Sequence, residues 1–178
     1  MKILSLTVLF FILSLLVYSQ DINVPVDENT GLITYQEVVK EEGSADSLYV
    51  RSIEWINLYF PNPQGVTKIR DRENGKIVIN HSIRPYDTDK DGLKINSNTI
   101  VDYVMRIELR DGRYRYTITD FTMRAMSRFP LERWLDKSYA YYDTKWPEYL
   151  KQMDQSMNEM IKSMKEGMKP VVVKEAIW

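Results

Sequence analysis

The segment at residues 87–92, Asp-Thr-Asp-Lys-Asp-Gly, has the spacing of a calcium-binding loop. Such a loop takes oxygen ligands from positions one, three and five, a glycine at six, a backbone carbonyl at seven and a bidentate acid at twelve. Position twelve is Asn98, which cannot supply two charged oxygens. Two interpretations follow, a weak calcium site and a solvated turn rich in Asp and Gly. Calcium is the one cofactor that this pattern indicates, and its ligands would be Asp87, Asp89, Asp91 and the carbonyl of Leu93.

Carboxylates and one histidine are the other residues that could do chemistry. Glu37, Glu108 and Asp120 are acids that a hydrolase could pair, although their separation in space does not follow from the sequence. His81 is the only histidine and lies on the apolar face of a predicted strand, so we expect it to pack rather than to act as a general base. The chain has no cysteine, which excludes thiol catalysis and cysteine-based zinc sites. We therefore expect a non-enzymatic protein, with a carboxylate-dependent hydrolase as an alternative.

Arginines and tyrosines alternate at residues 110–116, as they do on surfaces that stack single-stranded bases. The same alternation arises on any half-buried strand, because successive side chains point to opposite faces. Glu108, Asp111 and Asp120 are near enough in sequence to neutralise the arginines. The whole chain has 24 basic and 25 acidic residues, so it produces no long-range field that would attract nucleic acid. We predict no nucleic-acid partner.

The N-terminal segment has the layout of a secretory signal. Residues 1–19 contain one early lysine, a single apolar run and then Ser19. The run is shorter than the roughly 20 residues that cross a bilayer. We expect cleavage after Ser19 or Gln20, no stable membrane anchor afterwards, and an exported location, periplasmic or secreted. Residues 20–30 are polar and predict an exposed leader.

Hydrophobic periodicity predicts a strand, a helix, four strands and a second helix. The first helix follows Ser44 as its N-cap and ends before the loop Pro-Asn-Pro-Gln-Gly. Two hairpins turn at Asn74-Gly75 and Asp111-Gly112, and Asn-Gly favours a type I′ turn with two residues at positive φ. Phe121 and Met123 are out of phase with the preceding strand residues, so we predict a bulge near Asp120.

The C-terminal part predicts an aromatic connection, one long helix and a short tail. The helix begins near Pro147 and ends at Gly167, and its apolar stripe is typical of a helix that covers a sheet. Residues 170–178 form an apolar tail. We expect it to contact a partner, an unknown envelope protein or ligand, through Val171, Val172, Ile177 and Trp178.

These elements predict an α+β fold in the order β-α-β-β-β-β-α, a twisted antiparallel sheet with both helices on one face. Residues 31–126 would form the sheet and the first helix. Residues 127–169 would form the aromatic connection and the long helix.

Two motifs resemble those of a known family. The first helix contains L-Y-x-R-x-x-x-W, and the second hairpin contains D-G-R-Y-R-Y at residues 111–116. The motifs are typical of exported bacterial proteins described as a domain of unknown function with a TBP-like fold. The resemblance covers roughly residues 32–123 and implies the fold, but it brings no catalytic residues. The helix residues that carry it are Leu48, Tyr49, Arg51 and Trp55.

Overall fold

The computed structural model describes residues 24–125 and 127–170. Its helices are α1 (Ala45–Tyr59), α2 (Pro63–Val66) and α3 (Trp146–Gly167), and a 3₁₀ helix spans Leu131–Leu135. The strands in chain order are β1 (Tyr35–Lys40), β2 (Thr67–Asp71), β3 (Lys76–Ile83), β4 (Tyr86–Thr88), β5 (Lys94–Asn96), β6 (Val101–Arg110), β7 (Arg113–Met123) and β8 (Phe129–Pro130).

One antiparallel sheet organises the fold. Its strand order is β1-β7-β6-β3-β2, and β8 also pairs with β7. Burial alternates along the central strand β6 because successive side chains point to opposite faces. The predicted α+β class and the order of the main elements are confirmed. The inward-facing side chains of β6 are Val101, Tyr103, Met105, Ile107 and Leu109.

Helices α1 and α3 cover one face of this sheet. Ser44 caps α1, since its hydroxyl accepts a hydrogen bond from the Ser47 amide at 3.2 Å. The apolar stripe of α3 lies in the same core as the inward face of the strands. Its predicted core role is confirmed, with buried Trp146, Tyr149, Leu150, Met153, Met157, Met160, Ile161, Met164 and Met168. We call the other side of the sheet the open face.

The predicted bulge is present in β7. Asp102 of β6 pairs with Thr122, whereas Val104 pairs with Thr119, so β7 contains one extra residue between these pairs. Asp120 occupies the bulge with φ of 59°, the left-handed region that non-glycine residues seldom adopt. The extra residue returns Phe121 to the core, where it is 1% exposed.

The type I′ turn predicted at Asn74-Gly75 is wrong. In the two hairpin turns only the glycines have positive φ, 58° at Gly75 and 71° at Gly112, whereas a type I′ turn needs two such residues. Gly75 is also close to β6, because a Cβ there would lie 2.6 Å from the carbonyl oxygen of Leu109.

The predicted loop after α1 contains the short helix α2, which Asn62 caps by accepting from the Gly65 amide at 3.0 Å.

The predicted exposed leader is partly correct over residues 24–30, because five of these seven residues are exposed but Val24 is buried. Val24 is 4% exposed and belongs to the core. Val26 forms a bridge with Ile33, and the Thr34 amide donates to the carbonyl of Pro25 at 2.9 Å. The turn between them is closed by Asp27, whose carboxylate accepts from the amide of Thr30 at 2.8 Å. The packed part of the chain therefore starts before residue 31.

Over residues 24–125 and 127–170, none of the helices has both the length and the apolar character needed to cross a membrane.

Candidate functional site

The Asp-rich segment forms a small hairpin of β4 and β5, separate from the main sheet. Asp89 closes its turn, since its carboxylate accepts from the amides of Asp91 at 2.9 Å and Leu93 at 2.8 Å. The carbonyl of Leu93 accepts from the Asp89 amide at 2.9 Å. The turn is therefore held by its own backbone, as the solvated-turn interpretation requires.

Asp87 points away from this turn and contacts α3. Its carboxylate accepts from the hydroxyl of Tyr149 at 2.7 Å and from Nζ of Lys145 at 3.1 Å. These two hydrogen bonds, first that of Tyr149 and then that of Lys145, hold the pKa of Asp87 below its ordinary value. In the part of the chain that the structure describes, no three His, Cys, Asp or Glu side chains are grouped closely enough to bind a metal. The structure thus does not bring Asp87, Asp89 and Asp91 together.

We expect calcium to leave the melting temperature of the protein unchanged relative to a chelator. Asp87 and Asp89 would each have to give up their present hydrogen bonds before they coordinated an ion. Thermal unfolding in millimolar calcium and in chelator is the measurement. Asp87→Asn is the companion variant and should lower the melting temperature equally in both buffers, because it weakens the contact with Lys145. A rise of several degrees in calcium alone would indicate a bound ion and contradict this expectation.

A polar cavity of about 590 Å³ lies on the open face beside the bulge in β7. The ends of β3, β6 and β7 form its floor and α2 forms one side. Two ion pairs fix its acids: Asp102 contacts Arg124 at 2.6 Å, and Asp120 contacts Arg106 at 3.1 Å. We call this the bulge cavity. Its side-chain lining includes Asn62, Lys68, Asn80, Ser82, Asp102, Asp120, Thr122, Arg124 and Arg128.

His81 borders the bulge cavity, but its ring packs against aromatic neighbours. The centroids of His81 and Phe60 are 5.1 Å apart in an edge-to-face arrangement, and that of Tyr103 is 5.9 Å away. Burial lowers the pKa of His81, so the imidazole is neutral at pH 7. This geometry agrees with the packing role expected from the sequence.

The three acids considered for a hydrolase lie in separate ion pairs. Glu37 contacts Lys165 at 2.6 Å, and the Lys165 hydrogen bond is the main reason that the pKa of Glu37 is lowered. Glu108 contacts Arg115 at 2.5 Å. Only Asp120 lines the bulge cavity, where its neighbouring acid is Asp102. The sequence had not indicated Asp102, because a cavity formed by three strands and a helix leaves no local pattern.

The arginine–tyrosine hairpin separates its side chains as alternation predicts. Tyr114 and Tyr116 are buried, at 1% and 4% exposure, and therefore offer no ring face to a base. The arginines face solvent. Their predicted neutralisation is only partly correct: Glu108 pairs with Arg115, but the carboxylate of Asp111 accepts from the Ala45 amide at 2.7 Å.

The arginine–tyrosine hairpin and α1 lie within the part of the chain that matches a known family. The model of the domain of unknown function DUF4468 with TBP-like fold matches residues 35–124, about half of the chain. The chain belongs to this family. No curated protein is significantly similar to it.

Two solved structures share the TBP-like fold of this DUF4468 protein. A TBP-like protein from Parabacteroides distasonis has a TM-score of 0.64 at 15% identity, covering 82% of this chain and 96% of that one. A DUF4468 family protein from Bacteroides ovatus has a TM-score of 0.63 at 13% identity, covering 83% and 93% respectively. At this identity the likeness shows the fold alone.

The DUF4468 motifs of this chain hold the sheet to α1. Asp111 binds the first amide of α1, and the Gly112 amide donates to the carbonyl of Gly43 at 2.8 Å. Arg51 donates to the carbonyls of Glu42 and Met168. Trp55 packs on Phe60, with ring centroids 5.7 Å apart. These motif residues maintain the fold, and none of them lines the bulge cavity.

Two predicted segments lie outside the described residues. They are the signal at residues 1–19 and the four proposed partner contacts of the tail. Val171, Val172, Ile177 and Trp178 therefore stay a prediction from the sequence.

Proposed function

We propose that this DUF4468 protein is a non-enzymatic binding domain of the bacterial envelope and that its ligand occupies the open face at the bulge cavity. The observation that carries the proposal is the contrast between the two faces of one sheet. The helix-covered face forms the core, whereas the open face holds a cavity of about 590 Å³ lined by amide, hydroxyl and charged side chains. Polar groups that converge in a cavity fix the orientation of a ligand.

The backbone at the bulge supports this location. Asp120 holds a φ of 59°, and its carboxylate is fixed by Arg106 across the sheet. Strained residues of this kind persist where the surrounding structure enforces them, and they cluster at functional sites.

The ion pairs at the cavity favour binding over acid–base catalysis. Asp102 and Asp120 are each held by their own arginine, and the ring of His81 packs on Phe60. A proton-transfer role requires a group that is free to reach its substrate. The envelope location rests on the layout of residues 1–19.

We expect Asn80→Arg to abolish ligand capture. Asn80 is exposed on β3 and lines the bulge cavity, so a long cationic side chain there would occupy part of the cavity and change its charge. The purified protein would be used to capture components of envelope extract, which are identified by mass spectrometry. Asn158→Arg is the matched control, because it makes the same exchange at an exposed position of α3.

The proposal predicts that Asn80→Arg recovers at least about tenfold less ligand than Asn158→Arg. Equal recovery by the two variants would contradict the open face as the binding surface.

A truncation lacking residues 170–178 tests the tail in the same assay. If only this truncation loses the ligand, the tail and not the cavity is the contact.

A further inference from the structure

Three cations lie side by side on the open face, at the hairpin end of the sheet. Lys40 of β1 pairs with Arg113 of β7, and Arg113 pairs in turn with Arg110 of β6. Residues directly opposite each other in antiparallel strands project to the same face. We call Lys40, Arg113 and Arg110 the cationic row. It lies about 20 Å from the bulge cavity, since Val104 precedes Arg110 by six positions along β6.

The cationic row has no counter-ion among the residues that the structure describes. None of the ion pairs within residues 24–125 and 127–170 contains Lys40, Arg110 or Arg113. The carboxylates beside the two arginines in the sequence are engaged elsewhere, Glu108 by Arg115 and Asp111 by the first amide of α1. Glu41 follows Lys40 directly, and its amide donates to the carbonyl of Gly112 at 3.1 Å. Like charges on directly opposite strand residues are destabilising, so the pairing of Arg113 with Arg110 and with Lys40 is electrostatically unfavourable.

Two members of the row, Arg110 and Arg113, line a cavity of about 180 Å³. Its full lining is Val38, Glu108, Arg110, Arg113, Tyr114 and Arg115. Nε of Arg115 donates to the carboxylate of Glu108 at 2.8 Å. The guanidinium groups of Arg110 and Arg113 are therefore the ones that could bind a ligand. A guanidinium presents paired donors whose geometry matches carboxylate and phosphate oxygens. Both arginines flank the two-residue turn, and strand pairing fixes their backbone, which limits the ordering cost of binding.

We infer that this hairpin cavity is a second site, and that it binds an oxyanion, the carboxylate or phosphate group of a ligand. The bound anion supplies the negative charge that the cationic row lacks. The inference does not depend on the bulge cavity, because the two sites share no lining residue.

The test is a titration of the ¹⁵N-labelled protein with inorganic phosphate and, separately, with citrate. We expect saturable amide shifts at residues 110–115 with at least one of the two ions, and the responding ion identifies the oxyanion class. Arg113→Gln should weaken this binding by at least about tenfold. Arg113→Lys, which keeps the charge but loses the fork, should bind with intermediate affinity.

Arg70→Gln is the matched control, since it removes the same charge from an exposed position of β2 outside the cavity. Its affinity should stay within about twofold of the starting protein, as a remote exposed charge is largely screened. If Arg70→Gln and Arg113→Gln weaken anion binding equally, the effect comes from net charge alone and the inference is overturned. The absence of saturable shifts with both ions would overturn it as well.

Discussion

Replacing Trp134 by alanine is expected to lower the free energy of unfolding by about 3–5 kcal/mol. Trp134 is 1% exposed, and its ring stacks on Trp146 with centroids 5.5 Å apart and an interplanar angle of 12°. Tyr149 approaches the same ring at 6.0 Å. Truncation removes a large buried area and leaves a cavity that rigid aromatic neighbours fill only partly. Urea-induced unfolding followed by far-UV circular dichroism gives the free energy directly.

Two further variants separate packing from other effects. Tyr141→Ala removes a ring that is 80% exposed in the same connection, and its effect should stay below about 0.5 kcal/mol. Trp134→Phe keeps an aromatic ring and removes the indole N–H, which is buried without a hydrogen-bond partner in the described residues. It should therefore cost less than Trp134→Ala. A loss below about 1 kcal/mol for Trp134→Ala would contradict a core role for the connection.

The hydrophobic core extends beyond the segment that matches the family. The DUF4468 match stops at residue 124, whereas Leu131, Trp134 and the stripe of α3 belong to the same core as the matched strands. The hydroxyl of Tyr35 in β1 donates to Asp154 of α3 at 2.8 Å. The segment after residue 124 thus shares with α1 the covering of the sheet, and the matched part alone would leave the area under α3 exposed.

Elements with long, regular periodicity could be predicted from the sequence. The apolar stripe of α3 and the alternation along β6 both repeat often enough to fix which side chains face the core. The bulge at Asp120 was predictable for a related reason. Side chains on a strand alternate with a period of two, so the shift in phase at Phe121 requires one extra residue.

Features that depend on distant partners could not be predicted. Asp87 contacts Lys145 and Tyr149, and nothing in its neighbourhood in the sequence indicates this choice over calcium. Val24 packs into the core from a segment whose composition is polar. Asp111 caps α1 instead of neutralising an arginine beside it. In each case the partner is set by how elements pack, which local composition does not encode.

Replacing Arg51 by methionine is expected to lower the free energy of unfolding by about 2–4 kcal/mol. The guanidinium ties α1 to two other segments: Nη1 donates to the carbonyl of Met168, just after α3, and Nη2 donates to the carbonyl of Glu42 before α1. Both hydrogen bonds are charge-assisted, and such bonds are stronger than neutral ones. Methionine keeps much of the apolar volume but leaves both carbonyls without this donor.

Gly43 shows how closely the loop follows this side chain. A Cβ at Gly43 would lie 2.2 Å from Nη2 of Arg51, so the loop before α1 passes directly against the guanidinium. Arg51→Lys should recover only part of the stability, because one ammonium cannot reach both carbonyls with the geometry of the fork. Arg70→Met, at an exposed position of β2, serves as the control and should change stability by less than about 0.5 kcal/mol. If Arg51→Met and Arg70→Met unfold at the same urea concentration, the motif arginine is not structural, and its place in the DUF4468 pattern would need a binding role instead.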